Sequence, residues 1–323
     1  MALPNLFVPG AAKSGTSSLH DYLGQHPDVF MSQAKEPHFF SSNANFQADH
    51  KEKLQAYTDL FVEGEGQRIR GESSTGYMVF PYVVERIKEI VPNPRFIFIF
   101  RNPIDRAYSH YWWLRGRGYE TRSFREAVLA DMHDLPDPNK RVTGFGAYRF
   151  YFAFGQYGTY LRPFIEAFGR EKMMIITTKQ MKRNPLDTLN HCFTFLGVDV
   201  LDDLSFTRTN ETIVYRQANL FRFFNSMGSQ TAFSKFLRQA LPEKVFWAVF
   251  ASRRFLAKSA GKVLKSEVSY SSISQTDRQW LRELYQGEVN LLRQLTRLPY
   301  SDWQDDFPIN NTEPAVVEGG LQQ

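Results

Sequence analysis

The stretch LFVPGAAKSGTSSL, residues 6–19, decides the reading of the chain. Leu6–Val8 reads as a short buried strand, Gly10 to Gly15 as a loop, and Thr16 to Leu23 as a helix that stops near His26-Pro27. In a tight turn that opens into a helix, successive backbone N–H groups point at one centre, and the helix N-terminus favours negative charge there. Lys13 adds a point charge, and Ser14, Thr16, Ser17 and Ser18 add hydroxyl donors around Gly15. The stretch therefore predicts a loop that grips an anion. Its order is not that of the Walker phosphate loop, G-x-x-x-x-G-K-[ST], because Lys13 precedes Gly15.

Working outward, further strands and helices alternate. Arg68 to Glu72 reads as a strand, and Pro81 to Ile90 as a helix with Val83, Val84, Ile87 and Ile90 on one face. After the VPNP turn, FIFIF (96–100) has no polar alternation, which predicts a strand buried on both faces, as in a parallel sheet. Asn102 and Pro103 suit the cap and first position of the next helix. Met173 to Thr178 reads as another buried strand. NPLDTLNHCFTFLG (184–197) reads as a helix opened by Pro185 and closed by Gly197, and Ser274 to Arg297 as a long helix with a Ser274-x-x-Asp277 start. The pattern predicts an α/β chain: a P-loop-like three-layer fold with a central, mostly parallel sheet flanked by helices. Ligands then sit at the carboxyl ends of strands, so the loops after Val8, Glu72 and Phe100 are expected to converge. Residues 1–305 are read as one domain, with a Phe- and Arg-rich helical subregion at about 205–265 and a polar tail at 306–323. Within that subregion, KVFWAVFASRRFLAKSAGKVLK (244–265) is basic and amphipathic. It reads as a helix packed on the sheet with its basic residues outward; a membrane- or substrate-facing surface is the alternative.

Composition narrows the function classes. The 323 residues are 42% hydrophobic, 23% charged and 15% aromatic, as in an ordinary globular protein with a sizeable core. The net charge of +5 is spread along the chain, which suits an anionic ligand and does not argue for nucleic acid. A single cysteine, Cys192, rules out a disulfide within the chain and a thiolate metal cluster, and is read as a core residue. MALPNLFVPG lacks the basic start and apolar run of a signal peptide, and no run of about 18 apolar residues occurs, so no membrane span and a cytoplasmic setting are expected.

The second motif is FRNPIDRAYSHY (100–111). Arg101 directly follows the buried strand and Ser109 lies on the next helix, so a guanidinium and a hydroxyl can clamp a second phosphate. Arg106 is expected to pair with Asp105 or with a neighbouring segment. Together, PGAAKSGTSSL and FRNPIDRAYSHY resemble the 5′-phosphosulfate loop and the 3′-phosphate motif of the sulfotransferases that depend on 3′-phosphoadenylyl sulfate (PAPS). KEPHFF (35–40) is similar to a motif of the heparan-sulfate-type enzymes and their bacterial small-molecule relatives. That likeness implies Glu36 as catalytic base, with His38 beside it. GESSTGY (71–77) resembles the strand end that faces the acceptor, with Ser73 where some glycan enzymes carry a lysine. Tyr157 falls where the family places a helix residue near the cofactor, Trp303 resembles a closing motif read as packing, and Arg216, with Arg208, stands for a basic loop over the nucleotide.

The resemblance implies transfer of a sulfuryl group from PAPS to a hydroxyl or amine of a small-molecule acceptor, without metal, leaving adenosine 3′,5′-bisphosphate (PAP). Lys13 would steady the leaving oxygen, while Arg101 and Ser109 fix the 3′-phosphate. Two other classes stay open: a P-loop nucleotide kinase or NTPase, against which the loop order and the lack of a metal-binding aspartate after FIFIF count, and a non-catalytic nucleotide-binding module.

Overall fold

The structure, a computed structural model, describes residues 2–47, 49–133, 149–206, 214–215, 265–266 and 270–309. Five strands form its sheet: β1 (Leu6–Val8), β2 (Val29–Met31), β3 (Ile69–Ser73), β4 (Arg95–Phe100) and β5 (Met173–Thr177). Their order is β2-β3-β1-β4-β5, and every neighbouring pair is parallel. The α/β reading thus holds, with an all-parallel central sheet.

Why FIFIF carries no polar residue is visible in its packing. Phe96, Phe98 and Phe100 enter one core, and Ile97 and Ile99 enter the other. Phe7 joins the aromatic side, stacked on Phe96 at 5.7 Å, while Leu6 and Val8 join the aliphatic side. Alternation survives here as a choice between two apolar cores. The aliphatic core is covered by α1 (Thr16–Leu23) and by α8 (Pro185–Leu196), the latter through Leu189, Cys192, Phe193 and Leu196. Cys192 is fully buried, and burial pushes its thiol up to about 12. The aromatic core is covered by α3 (Tyr82–Ile90), α4 (Pro103–Arg115), α6 (Tyr157–Phe168) and α9 (Gln275–Thr296). Three helices complete the described set: α2 (His50–Thr58), α5 (Phe124–His133) and α7 (Thr178–Arg183).

Helix ends follow the sequence signals. Asn102 accepts from the Ile104 amide at the start of α4, and Ser274 accepts from the Asp277 amide at the start of α9. Gly197 closes α8 in the left-handed region at φ 71°. Strand β2 has no counterpart in the sequence reading. It is three residues long, sits at the sheet edge, and is defined by pairing with β3. A two-residue antiparallel ladder, β6 (Val214–Tyr215) with β7 (Lys265–Ser266), also escaped a reading that expected helix there. Arg208, Arg216 and most of the 205–265 subregion lie outside the described residues. At the start of the expected tail, Asp306 and Phe307 are buried: Asp306 accepts from Asn102 Nδ2 (2.7 Å), and the Phe307 carbonyl accepts from Arg293 (2.6 Å). Trp303 is buried, stacked on Tyr300.

Phe98, in the centre of the aromatic core, has no exposed surface. Phe98→Ala is expected to lower unfolding free energy by about 3–5 kcal/mol, read as a drop in the urea midpoint at unchanged slope.

Candidate active site

Strand order fixes where a ligand can sit. The chain leaves β1 toward β3 and β2 and returns on the other side of β1 as β4. A crevice therefore opens at the carboxyl ends of β1 and β4, the switch point of such sheets. The loop of residues 9–15 is tied into it from every side. The Ile99 amide donates to the Gly10 carbonyl (3.0 Å), the Ala11 amide to the Ile99 carbonyl (2.9 Å) and the Met78 amide to the Pro9 carbonyl (3.2 Å). From the end of β5, Thr178 Oγ1 donates to the Ser14 carbonyl (2.6 Å). Lys13 (φ 68°) and Gly15 (φ 103°) both take left-handed backbone; Gly15 does so freely, as the N-cap of α1. No side chain caps α1 and no acidic residue lies in its first turn. The positive end of the helix thus meets no carboxylate from its own first turn, which favours an anion there. Ser14 and Thr16 are buried, whereas Ser17 and Ser18 are half-buried.

Cations gather beside this loop. The Lys13 ammonium lies 5.3 Å from the centroid of the Trp113 ring, and the Arg117 guanidinium lies 4.8 Å from the same ring. Arg117 Nη1 also donates to the Trp113 carbonyl (2.9 Å). Burial, then the charges of Arg117, Arg101 and Arg106, push Lys13 down to about 7. Lys13 and Arg101, far apart in sequence, thus share one electrostatic neighbourhood. Arg101 is half-buried, and its carbonyl accepts from the Tyr157 hydroxyl (2.9 Å). Tyr157 is itself buried and stacks on Phe100 at 4.4 Å, so it props Arg101 from below. Ser109 is buried on α4.

Arg106 is fully buried and bonds the Tyr151 carbonyl, with His110 Nδ1 3.4 Å from its Nη1. Its neighbour Asp105 pairs with Arg278 instead, since adjacent residues of a helix do not face each other. Sequence reading passed over Trp113 and Arg117. For Trp113 a signal was available, since it stands four residues after Ser109 on the same face of α4; Arg117 lies in the turn beyond the end of α4 and had none.

Glu36 sits on a loop stitched to the end of β3. Its amide donates to the Ser73 carbonyl (2.9 Å). Its carboxylate receives Lys35 Nζ (2.8 Å), the Thr75 amide (2.8 Å) and Thr75 Oγ1 (3.1 Å), and His38 Nε2 lies at 3.2 Å. The Glu36 side chain keeps 29% of its surface exposed, enough to meet a second molecule. Burial lowers the His38 pKa, so the imidazole is neutral near neutrality. Ser73 is fully buried with its hydroxyl 2.9 Å from His20 Nδ1, so it does not stand in for an acceptor-facing lysine.

Residues 3–245 match the family described as the sulfotransferase domain. The chain belongs to the PAPS-dependent sulfotransferase family. A crystallised sulfotransferase from Alicyclobacillus acidocaldarius superposes with a TM-score of 0.64 at 26% identity, covering 94% of this chain and all of that one. The bovine bifunctional heparan sulfate N-deacetylase/N-sulfotransferase 2 is 25% identical over 217 residues, 64% of this chain and 23% of that protein. The mouse heparan sulfate glucosamine 3-O-sulfotransferase 3B1 is 26% identical over 197 residues, 61% of this chain and 46% of that protein. This sulfotransferase chain therefore matches a quarter to a half of the length of those curated relatives. Among its described residues no helix is long and apolar enough to cross a membrane.

Lys13 bears its charge below about pH 7 and loses it above, because its pKa is depressed. A polyanion in the crevice favours the charged form and draws the proton back. At about pH 8, PAP binding is expected to take up close to one proton, measured by calorimetry in buffers of different ionisation enthalpy. Lys13→Met should abolish that uptake.

Proposed function

We propose that this domain, spanning about residues 1–305, moves the sulfuryl group of PAPS to a hydroxyl or an amine by in-line displacement. The observation that carries the reading is the meeting of the 9–15 loop, with Lys13, and of Arg101 at one sheet edge, with the partly exposed carboxylate of Glu36 on the adjoining β3 end. In this reading the 5′-phosphosulfate lies on the loop and the α1 N-terminus, held by backbone amides of the Gly15 to Ser17 segment and by the hydroxyls of Ser17 and Ser18, while the Ser14 amide closes the loop on the Ala11 carbonyl (3.2 Å). Arg101 and Ser109 take the 3′-phosphate, and Tyr157 sets the height of Arg101.

The acceptor oxygen or nitrogen attacks sulfur as the bond from sulfur to the 5′-phosphate oxygen breaks. Glu36 receives the acceptor proton, and PAP departs with the bonding pair. Lys13 stabilises charge on the departing oxygen. A sulfuryl group carries less negative charge than a phosphoryl group, so one ammonium and a set of amides suffice for it. His38 keeps the Glu36 carboxylate in place.

For the acceptor, the sequence favours a small molecule. The relatives named for heparan sulfate favour a second reading, a glycan, one by an N-transfer and the other by a 3-O-transfer in their names. The test is PAPS consumption over a panel of small alcohols, phenols and amines set against heparan-derived oligosaccharides. Glu36→Gln should bind PAP as the wild type does and lose about 10²–10⁴-fold in turnover; normal turnover in that variant would remove Glu36 as base.

A further inference from the structure

A second carboxylate lies beneath the first. Glu72, the fourth residue of β3, has no exposed surface and no cationic partner among the described residues. A buried carboxylate held only by neutral groups is costly. Its Oε1 accepts from the Tyr57 hydroxyl of α2 (2.7 Å), and its Oε2 accepts from Ser74 Oγ (2.6 Å). Tyr77 also lies within hydrogen-bonding reach of it.

Two of these hydroxyls have a second job. Ser74 Oγ, its proton committed to Glu72, accepts from the His38 amide (3.1 Å). The Tyr77 hydroxyl accepts from the Phe40 amide (3.2 Å). The segment they hold is the one that carries Glu36, and its backbone is strained: Glu36 and His38 take φ of 61° and 52°, left-handed values that residues other than glycine seldom adopt.

We propose that Glu72 is a positioning residue of the sulfotransferase: its ionised carboxylate orients the Ser74 and Tyr77 hydroxyls so that they receive the His38 and Phe40 amides and hold Glu36 where the acceptor proton arrives. The proposal rests on the reading of Glu36 as base. Glu72 cannot itself touch the acceptor, being sealed from solvent. An anion can accept from all its hydroxyl neighbours at once; a protonated acid, or an amide, must donate on one side and so turns one hydroxyl away.

Burial raises the Glu72 pKa to about 7, against the hydrogen bonds of Ser74, Tyr57 and Tyr77, and the like charge of Glu36 adds to the rise. These are the groups that face it, from α2, from the segment after β3 and from the 35–40 loop. Tyr57 and Tyr77 are themselves pushed up by burial and stay neutral donors. Positioning is therefore present above about pH 7 and lost as pH falls through that value.

The test uses the full chain and three variants, Glu72→Gln, Ser74→Ala and the double substitution. PAP affinity is measured by calorimetry, PAP release from PAPS is followed with water and with the acceptor that turns over fastest in the panel, and amide exchange is followed over residues 36–40. Expected for Glu72→Gln are PAP affinity within about twofold of wild type and a kcat loss of about tenfold or more at saturating PAPS. Wild-type kcat is expected to fall on an acid limb near pH 7 that Glu72→Gln lacks, and in that variant the amides of 36–40 should exchange about tenfold faster while those of β4 do not change. Ser74→Ala should reproduce these losses, and the double variant should be no worse than either single one. Wild-type kcat and exchange in Glu72→Gln, or additive losses accompanied by collapsed PAP affinity, would overturn the proposal. If Glu72→Gln does not fold, Ser74→Ala alone decides, by the same readouts. A wild type that neither binds PAP nor consumes PAPS would instead overturn the sulfotransferase reading, and the exchange data would still test the anchoring.

Discussion

Two backbone hydrogen bonds, from Ile99 to Gly10 and from Ala11 back to Ile99, are what the rest of this molecule depends on. They extend the parallel pairing of β1 and β4 past the end of β1 and fasten the anion loop to the strand that delivers Arg101 two residues later. The pairing register, Leu6 with Arg95 and Phe7 with Phe96, is enforced by the cores on either side. A slip of one residue would move Phe7 into the aliphatic layer and Leu6 and Val8 into the aromatic one. The two apolar layers therefore determine not only the sheet but the placement of a lysine and an arginine relative to each other.

Around that edge the protein stores an electrostatic imbalance. Lys13 sits with Arg117, Arg101 and Arg106 as its charged neighbours, in surroundings that already disfavour its own charge. The Trp113 ring offsets part of this through its face, between Lys13 and Arg117. In the proposed reading a polyanion relieves the remainder, which is how a preorganised site stabilises charge without rearranging when chemistry occurs. The carboxylate side is built the other way. Glu36 is supplied with donors from Lys35, Thr75 and His38, and its strained loop is fixed from below by hydroxyls that a buried carboxylate orients.

Much of this was legible in the sequence, for identifiable reasons. β1, β4 and α8 are announced by apolar runs and by punctuation: the Gly-rich turn after Val8, Asn102-Pro103 after FIFIF, Pro185 and Gly197 at the ends of α8. These signals are local, and local propensity and global packing agree there. β2 was not legible, because three residues carry no period and only pairing with β3 makes them a strand. The loop was legible as a tight turn opening into a helix, but which hydroxyls face inward was not: Ser14 turns into the protein, and its carbonyl is claimed by Thr178, 164 residues away. In the same way Tyr157 reads as a cofactor-side residue, while its hydroxyl is committed to the Arg101 carbonyl. Trp113 could have been found from its four-residue step beyond Ser109, whereas Arg117 lies past the end of α4 and joins the site through its contacts with Trp113. The task of Glu72 is invisible to sequence, since its partners come from α2 and from the turn after β3 and are joined only by folding.

The central claim is that one sheet edge grasps both ends of a single doubly phosphorylated nucleotide. The most direct measurement compares the affinity of PAP with that of adenosine 5′-monophosphate, which lacks only the 3′-phosphate, in the wild type and in Arg101→Ala. The account predicts that the wild type prefers PAP by at least about tenfold, or about 1.4 kcal/mol, and that Arg101→Ala loses this preference while holding the monophosphate as before. A preference for PAP that survives the loss of Arg101 would contradict it.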